Sequence, residues 1–455
     1  MHTSRIGKYV YGGHSIAKSS VCCAAAFVIT CAPFSAAFAD PAKPVPLPPE
    51  IAAAAPPPST NACLVDRLQV NRATAEQMLK ACSEALQSHT LSPAQVALAR
   101  LNRGGARMAL GDKIMANVDY AEALKHYDGA IDPLNPDALA YFRRAAALDA
   151  SGETDRALSD YDEAIRIDPK EPLAYIGRGI LLATRKRFYE RAISDFDKVL
   201  ALSPDRLEAL MRRGDAYSQM GNFGPALADL DRAVALAPDN AEVHVYHGLA
   251  NSRRGDSPRA LADYTAALVR DPQNVDALVN RAAIHSTNGD QTSAIHDLDA
   301  AIALRTSDPL AFYNRGYAHF ANRDFDLAMA DYSAAIDIDP KMGLAFTNRC
   351  LTGAVIGHDL KAALADCDMA FKLMPNDADV HEARGFTYLK RGEPEFAITE
   401  YDAALAVVPN QALSLYGRSL ARAKAGYAKE GAVDKASALA LDPNIARQFS
   451  MFGLE

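Results

Sequence analysis

Between Pro309 and Met342 the apolar residues fall at helical spacing twice, with a polar break between the two runs. Leu310, Tyr313, Tyr317 and Phe320 carry the first run, and Leu327, Met329, Tyr332, Ala335 and Ile336 carry the second. Asn322-Arg323-Asp324 interrupts them, and Asp339-Pro340 ends the second, because proline offers no N–H and clashes with the preceding turn. The stretch predicts two helices joined by a tight turn. Gly316 and the alanines leave room for the two to lie close. A pair this short cannot bury both of its apolar faces alone, so the pattern requires neighbours on either side.

The chain supplies them. Arg315 is one of a series: Arg144, Arg178, Arg213, His247, Arg281, Arg315, Arg349, Arg384 and Arg418, each 34 or 35 residues after the last. A closing proline keeps the same step at Pro169, Pro204, Pro238, Pro272, Pro340, Pro375, Pro409 and Pro443. A period of this length, with small residues at fixed places and a terminal proline, resembles the tetratricopeptide repeat. The resemblance implies an all-α, right-handed superhelix (a solenoid) of about ten helix-turn-helix repeats, with little or no strand. It also implies a surface for protein or peptide partners rather than a reaction centre. Tryptophan is absent, and its usual place in the first helix of such repeats holds bulky residues such as Tyr141, Tyr175, Phe312 and Phe346.

The ends read differently. Residues 1–39 resemble a secretory signal: Arg5, Lys8 and Lys18 form a basic head, residues 21–32 an apolar run, and Ala37-Phe38-Ala39 a small-residue cleavage site. The expected mature chain starts near Asp40, is exported to the periplasm, and has no stable membrane insertion. The alternative is an inner-membrane anchor made by the same segment left uncleaved. Residues 40–60 form a linker rich in proline and alanine. Residues 61–90 predict an N-terminal capping helix, opened by Thr74 and Gln77 as a capping box and running to about Gln87. The array proper spans 91–443. Its first copy is long, and the excess is expected as a loop at residues 113–118, between the helices of that copy. Residues 444–455 form a C-terminal capping tail, with Ile445, Phe449, Met451 and Phe452 to cover the last repeat.

Charge narrows the partners. Lys and Arg total 48 against 56 Asp and Glu, a net −8, and loss of residues 1–39 would make the rest more acidic. With no basic stripe, nucleic acid is excluded as a partner, since phosphates require clustered Lys and Arg.

The most regular polar feature is an acid 16 or 17 places after the marker in every copy after the first, among them Asp160, Asp195, Asp331, Glu400 and Asp434. In an antiparallel hairpin the two positions face each other, so a ladder of Arg–carboxylate pairs is expected to fix helix register. An ion-binding stripe is the alternative. Cys63, Cys82, Cys350 and Cys367 remain after export, an even number that predicts disulfides Cys63–Cys82 and Cys350–Cys367. Two buried thiols are the alternative for the second pair. His244, His247, His285 and His319 share helical places that could hold a transition metal, although the same places serve packing in other copies. Neither a metal nor any other cofactor is expected. No nucleophile elbow, phosphate loop or zinc helix is present in the sequence. A scaffold without enzymatic activity is expected; the alternative is an enzyme, or a metal-bearing subunit of one, with its site inside the superhelix.

Asn280, Asn314 and Asn348 each precede a marker arginine, at one place on three successive first helices. This resembles the concave-face place where some tetratricopeptide-repeat proteins hold a ligand's backbone. An amide both donates and accepts, matching a peptide group whatever its side chain. Tyr313, Tyr317 and Phe320 are expected beside the row as apolar anchors. The paired lysines of the family's chaperone-tail clamp are missing; Val279, Tyr313 and Thr347 stand there instead.

Overall fold

The computed structural model describes residues 63–64, 72–88, 90–132, 134, 136–305 and 307–454. The expected signal (1–39) and linker (40–60) lie outside the described residues. Among those described there are 22 α-helices and no strand. The chain divides into two compact units, the first reaching Ala209 and the second running from Leu210.

In the first unit, α1 (Arg72–Gln87) packs on α2 (Pro93–Ala109), and α2 pairs with α3 (Lys113–Ala130). The pairs α4 (Ala138–Ser151) with α5 (Thr154–Ile167) and α6 (Pro172–Leu181) with α7 (Tyr189–Leu202) follow. Two expectations are corrected here. α1 begins at Arg72, so Thr74 sits inside its first turn; the capping box belongs to α2, where Ser92 and Gln95 satisfy each other's backbone N–H. Residues 113–118 are no loop but the first turns of α3, capped by the Asp112 side chain on the Met115 N–H. The surplus of the first copy lies after Asp119, in an 18-residue second helix and the connection leading to Asp137.

The second unit holds α8 (Leu207–Gln219, within which the division falls), α9 (Phe223–Leu236), α10 (Ala241–Arg254), α11 (Ser257–Arg270), α12 (Val275–Thr287) and α13 (Gln291–Leu304). It continues with α14 (Pro309–Ala321), α15 (Phe325–Ile338), α16 (Gly343–Ile356), α17 (Leu360–Leu373), α18 (Ala378–Arg391) and α19 (Pro394–Val407). α20 (Ala412–Lys424), α21 (Ala428–Leu441) and the short α22 (Ile445–Met451) complete it. Each pair is closed by small residues meeting large ones. A Cβ added at Gly316 would lie 2.8 Å from the Tyr332 ring, so only glycine permits this approach. The large residue of the second helix recurs as Tyr161, Phe196, Tyr264, Tyr332 and Tyr401, all essentially buried.

The turn between the helices of a pair places one residue in the left-handed region. Glycine fills it at Gly111, Gly152, Gly221, Gly255, Gly289, Gly357, Gly392 and Gly426; Arg187 (φ 55°) and Arg323 (φ 69°) fill it otherwise. The two 35-residue copies absorb their extra residue in different ways. After α6 the chain widens into a π-turn at Leu182–Lys186, which takes one more residue without ending the helix. After α16 the extra residue enters the turn itself, where Asp359 caps α17 through the Lys361 and Ala362 N–H groups.

Candidate functional site

The expected charge ladder is present and includes the first copy. Arg315 Nε and Nη2 donate to the two carboxylate oxygens of Asp331 at 2.9 and 2.7 Å, across the α14–α15 hairpin. The same fork joins Arg144 to Asp160, Arg178 to Asp195, Arg213 to Asp229, Arg281 to Asp297, Arg349 to Asp366 and Arg418 to Asp434. The first copy, expected to lack the acid, has it: Arg103 binds Asp119 in the same bidentate way. Glu400 takes the acid place opposite Arg384, and is shared with His381 Nδ1 at 2.7 Å.

A second link was not foreseen. The remaining Nη1 of the marker reaches back 16 residues to the second helix of the preceding repeat: Arg315 to Asp299 and Arg418 to Asp402, both at 2.6 Å. Arg144 does so to Asp128 and Arg178 to Asp162. Each such arginine ties its own hairpin shut and ties that hairpin to the one before it. Asp331 is nearly buried and Asp299 is exposed, so the first link is the sheltered one. The hydrogen bonds to Asp331, with further help from Asp299, hold the Arg315 guanidinium well above its ordinary pKa. Arg315 also lies 5.6 Å from the ring centroid of Phe312, which puts a bulky residue of the tryptophan place to use.

One rung is titratable. His247 Nδ1 lies 2.9 Å from Asp263 and its Nε2 3.1 Å from Asp231, while Asn251 Nδ2 donates to the other Asp263 oxygen at 2.8 Å. Burial opposes the charged imidazolium. The bond to Asp263 and its charge, then Asp231, outweigh that, and the His247 pKa is raised. The other three candidate histidines have local partners: His244 Nε2 meets the carbonyl of Pro238, which closes the preceding repeat, at 2.8 Å, His285 lies 3.5 Å from Asp290 and His319 3.7 Å from Asp324. Among the described residues no three His, Cys, Asp or Glu side chains come together as a metal-ligand group.

The asparagine row divides. Asn280 is buried, and its amide turns back onto the Asp276 carbonyl of its own helix at 2.8 Å. Asn348 is half-buried and donates to the Tyr313 hydroxyl at 3.1 Å, which joins α16 to α14. Asn314 and Tyr317 are half-buried on α14. Tyr313 and Phe320 are not surface anchors. Both are 4% exposed, Tyr313 against Tyr332 and Phe320 against Phe325, because neighbouring helices already use their area. Of the six expected ligand contacts, Asn314, Asn348 and Tyr317 keep accessible surface.

Cys63 pairs with Cys82 and Cys350 with Cys367, with Cα atoms 5.0 and 5.3 Å apart. A polar cluster at the start of α18 gave no signal in the period. Asp379 and Glu382 are buried there, reached by Gln411 Nε2 at 3.4 Å and Ser414 Oγ at 3.1 Å respectively. Burial, then the Glu382 and Asp377 charges, push the Asp379 carboxyl up. Only a comparison of the buried polar residues in that one repeat with its neighbours would have flagged it.

No helix among the described residues is long and apolar enough to cross a membrane. Family models described as tetratricopeptide repeat match residues 138–171, 181–251, 247–309 and 309–342. Among curated proteins, the small glutamine-rich tetratricopeptide repeat-containing protein 2 of Mycosarcoma maydis is 41% identical over 83 residues, 18% of this chain and 23% of that protein. Its Saccharomyces cerevisiae namesake is 46% identical over 59 residues, 13% and 17% of the two chains. This chain thus spans less than a quarter of the length of those relatives. A solved tetratricopeptide repeat protein from Parabacteroides merdae is 19% identical with a TM-score of 0.43, covering 57% of this chain and 99% of that one. The repeat period, the helix pairs and the family matches agree, and the chain is a member of the tetratricopeptide-repeat family.

Proposed function

We propose that this chain is a non-enzymatic interaction scaffold of the bacterial cell envelope, holding an extended segment of a protein partner along its first helices. Repeats of this family support the broad reading, and the charge ladder ties each hairpin shut beneath the partner's path. The observation that carries the finer reading is the pair Asn314 and Asn348, half-buried on first helices that touch through Tyr313, with Tyr317 beside them. Two amides in step along a groove suit a partner's backbone, which repeats its donors and acceptors regardless of sequence. The envelope assignment rests on the signal-like residues 1–39 and on the cysteine pairs, which suit an oxidising compartment.

The test is Asn314→Ala with Asn348→Ala, and Asn280→Ala as its structural counterpart. A partner recovered by crosslinking in the envelope loses affinity for the double variant by about tenfold or more, while stability falls by no more than the lost Asn348–Tyr313 bond, about 1 kcal/mol. Asn280→Ala lowers stability and leaves affinity alone. Unchanged affinity in a folded double variant overturns the asparagine pair. Export is tested on the purified mature chain, which starts near Asp40 and leaves Cys63 and Cys82 unlabelled by thiol reagents without reductant. Free labelling of both overturns the envelope assignment.

A further inference from the structure

A cap for the last repeat needs to cover only α20 and α21. The tail after Pro443 goes further. The Phe449 ring lies 4.9 Å from Tyr416 on α20 and 5.9 Å from Phe386 on α18. The Phe452 ring stands edge-on to Phe386 at 6.1 Å and reaches Phe320, at the end of α14, at 6.3 Å. Lys390 Nζ donates to the Phe452 carbonyl at 2.8 Å, and Leu454 is only 6% exposed. Tyr416, Phe386 and Phe320 all belong to first helices, so the tail crosses the same class of helix face that carries Asn314 and Tyr317.

The way it is held matters. Two aromatic side chains three residues apart pack on the rings of first helices, Phe449 buried and Phe452 half-buried, and a side chain binds the backbone between them and the end. Those are the elements of peptide recognition: buried aromatic anchors that supply affinity, and a backbone bond that fixes the segment. α22 has seven residues, too few to be stable as a helix by itself, so its conformation depends on the groove. The tail's cysteine-free sequence gives it no covalent tie to that groove. Arg323 Nη1 approaches Met451 Sδ at 4.0 Å, and Arg323 is the one residue of the second unit to occupy the left-handed turn place without being glycine.

We propose that the groove formed by Phe320, Phe386, Lys390 and Tyr416 is a docking site for a protein segment with two aromatic side chains three residues apart, and that the chain's own tail is its resident occupant. The proposal rests on the scaffold reading above. A partner of this chemistry enters by displacing the tail, and the tether raises the concentration it must compete against, in the millimolar range for a short linker. The tail thus sets a threshold: weak aromatic segments are excluded, and strong ones displace it.

The probe is a fluorescent peptide of residues 444–455, NIARQFSMFGLE, added to the full mature chain. In Phe449→Ala with Phe452→Ala the tail no longer covers the groove, and the peptide binds about 100-fold more tightly than to the unaltered chain. Adding Phe386→Ala to that variant abolishes the gain. No binding to a double variant whose helicity and melting match the parent overturns the proposal, as does equal binding to both. Should the double variant not fold, Phe452→Ala alone, which takes one ring from the tail and leaves the groove intact, is read instead. Its expected affinity for the peptide exceeds that of the unaltered chain by several-fold, and no gain is again contradictory. A peptide that fails while the asparagine pair still governs partner affinity sinks this site alone. A peptide that binds while the asparagine pair proves inert leaves this site and sinks the row.

Discussion

The two ends of the repeat array meet the same problem with different chemistry. Each terminal repeat leaves an apolar face that must be covered for the array to stay soluble. At the N-terminal end, α1 presents small residues, Ala75, Ala81 and Ala85 with Met78, to Ala99 and Ala106 of α2. Cys63 is paired with Cys82, and Asn102 Nδ2 holds the Cys63 carbonyl at 2.7 Å. At the C-terminal end the cover is aromatic, reaches across three first helices and has no covalent tie. Small residues packed closely under a crosslink make a fixed lid. Large rings packed on rings without a crosslink make, on the proposal above, a cover that can leave and return.

The largest effect should come from the fixed lid. Replacing Cys63 and Cys82 by serine removes a link closing a short loop, and α1 should lose about 3 kcal/mol of local stability. Hydrogen exchange would show α1 and α2 opening while α20 and α21 are unmoved. An equal loss at both ends would mean that the array melts as one body, and that the two ends do not differ in the way described.

Between the ends, the ladder should couple strongly. In a double-mutant cycle on Arg315→Ala and Asp331→Ala, a coupling of about 2 kcal/mol is expected, since the nearly buried Asp331 loses two charged hydrogen bonds at once. The cycle on Arg315 and Asp299 should give under about 1 kcal/mol, because that acid is exposed. Similar values for both would show that shelter is not what distinguishes the links.

A smaller effect depends on pH. The His247 pKa is raised in the fold, so its rung contributes fully below the ordinary histidine value and is lost as pH rises through the folded value. Protection of α10 and α11 should therefore fall as pH rises above the ordinary histidine value of about 6.5, and His247→Arg should abolish the slope. A slope that survives in His247→Arg would place the titration elsewhere. Smallest of all, Arg187→Gly should gain under about 1 kcal/mol by relieving a left-handed arginine, measured as a modest rise in melting temperature. A fall would mean that the arginine side chain contributes more than its backbone costs.

What could be read in advance follows from how far each interaction reaches. The helix pairs and the Arg–acid hairpins were legible because both partners recur within one period, as Arg315 and Asp331 do. The long first copy was misread because a helix lengthened at its C-terminal end looks, from spacing alone, like a loop inserted before it. The π-turn at Leu182–Lys186 left no mark except an extra residue, and the same extra residue after α16 was solved by another geometry. Asn280 and Asn348 look alike in sequence, yet one amide turns to its own helix and the other to Tyr313 across the interface. Phe320 is covered by Phe325 and also by Phe452, which lies 132 residues further along the chain. Periodicity carries no information about such a contact.

On the proposal above, the C-terminal cover is reversible while the framework beneath it is not. Hydrogen exchange of the unaltered, oxidised chain measures this directly. The amides of Ser450 to Leu454 should exchange faster than those of α18 and α20, at a rate independent of denaturant at low concentration, as expected for a local opening. α1, held by the Cys63–Cys82 pair, should show no such opening. Tail amides that exchange only together with α20, through unfolding of the repeats themselves, would contradict the claim.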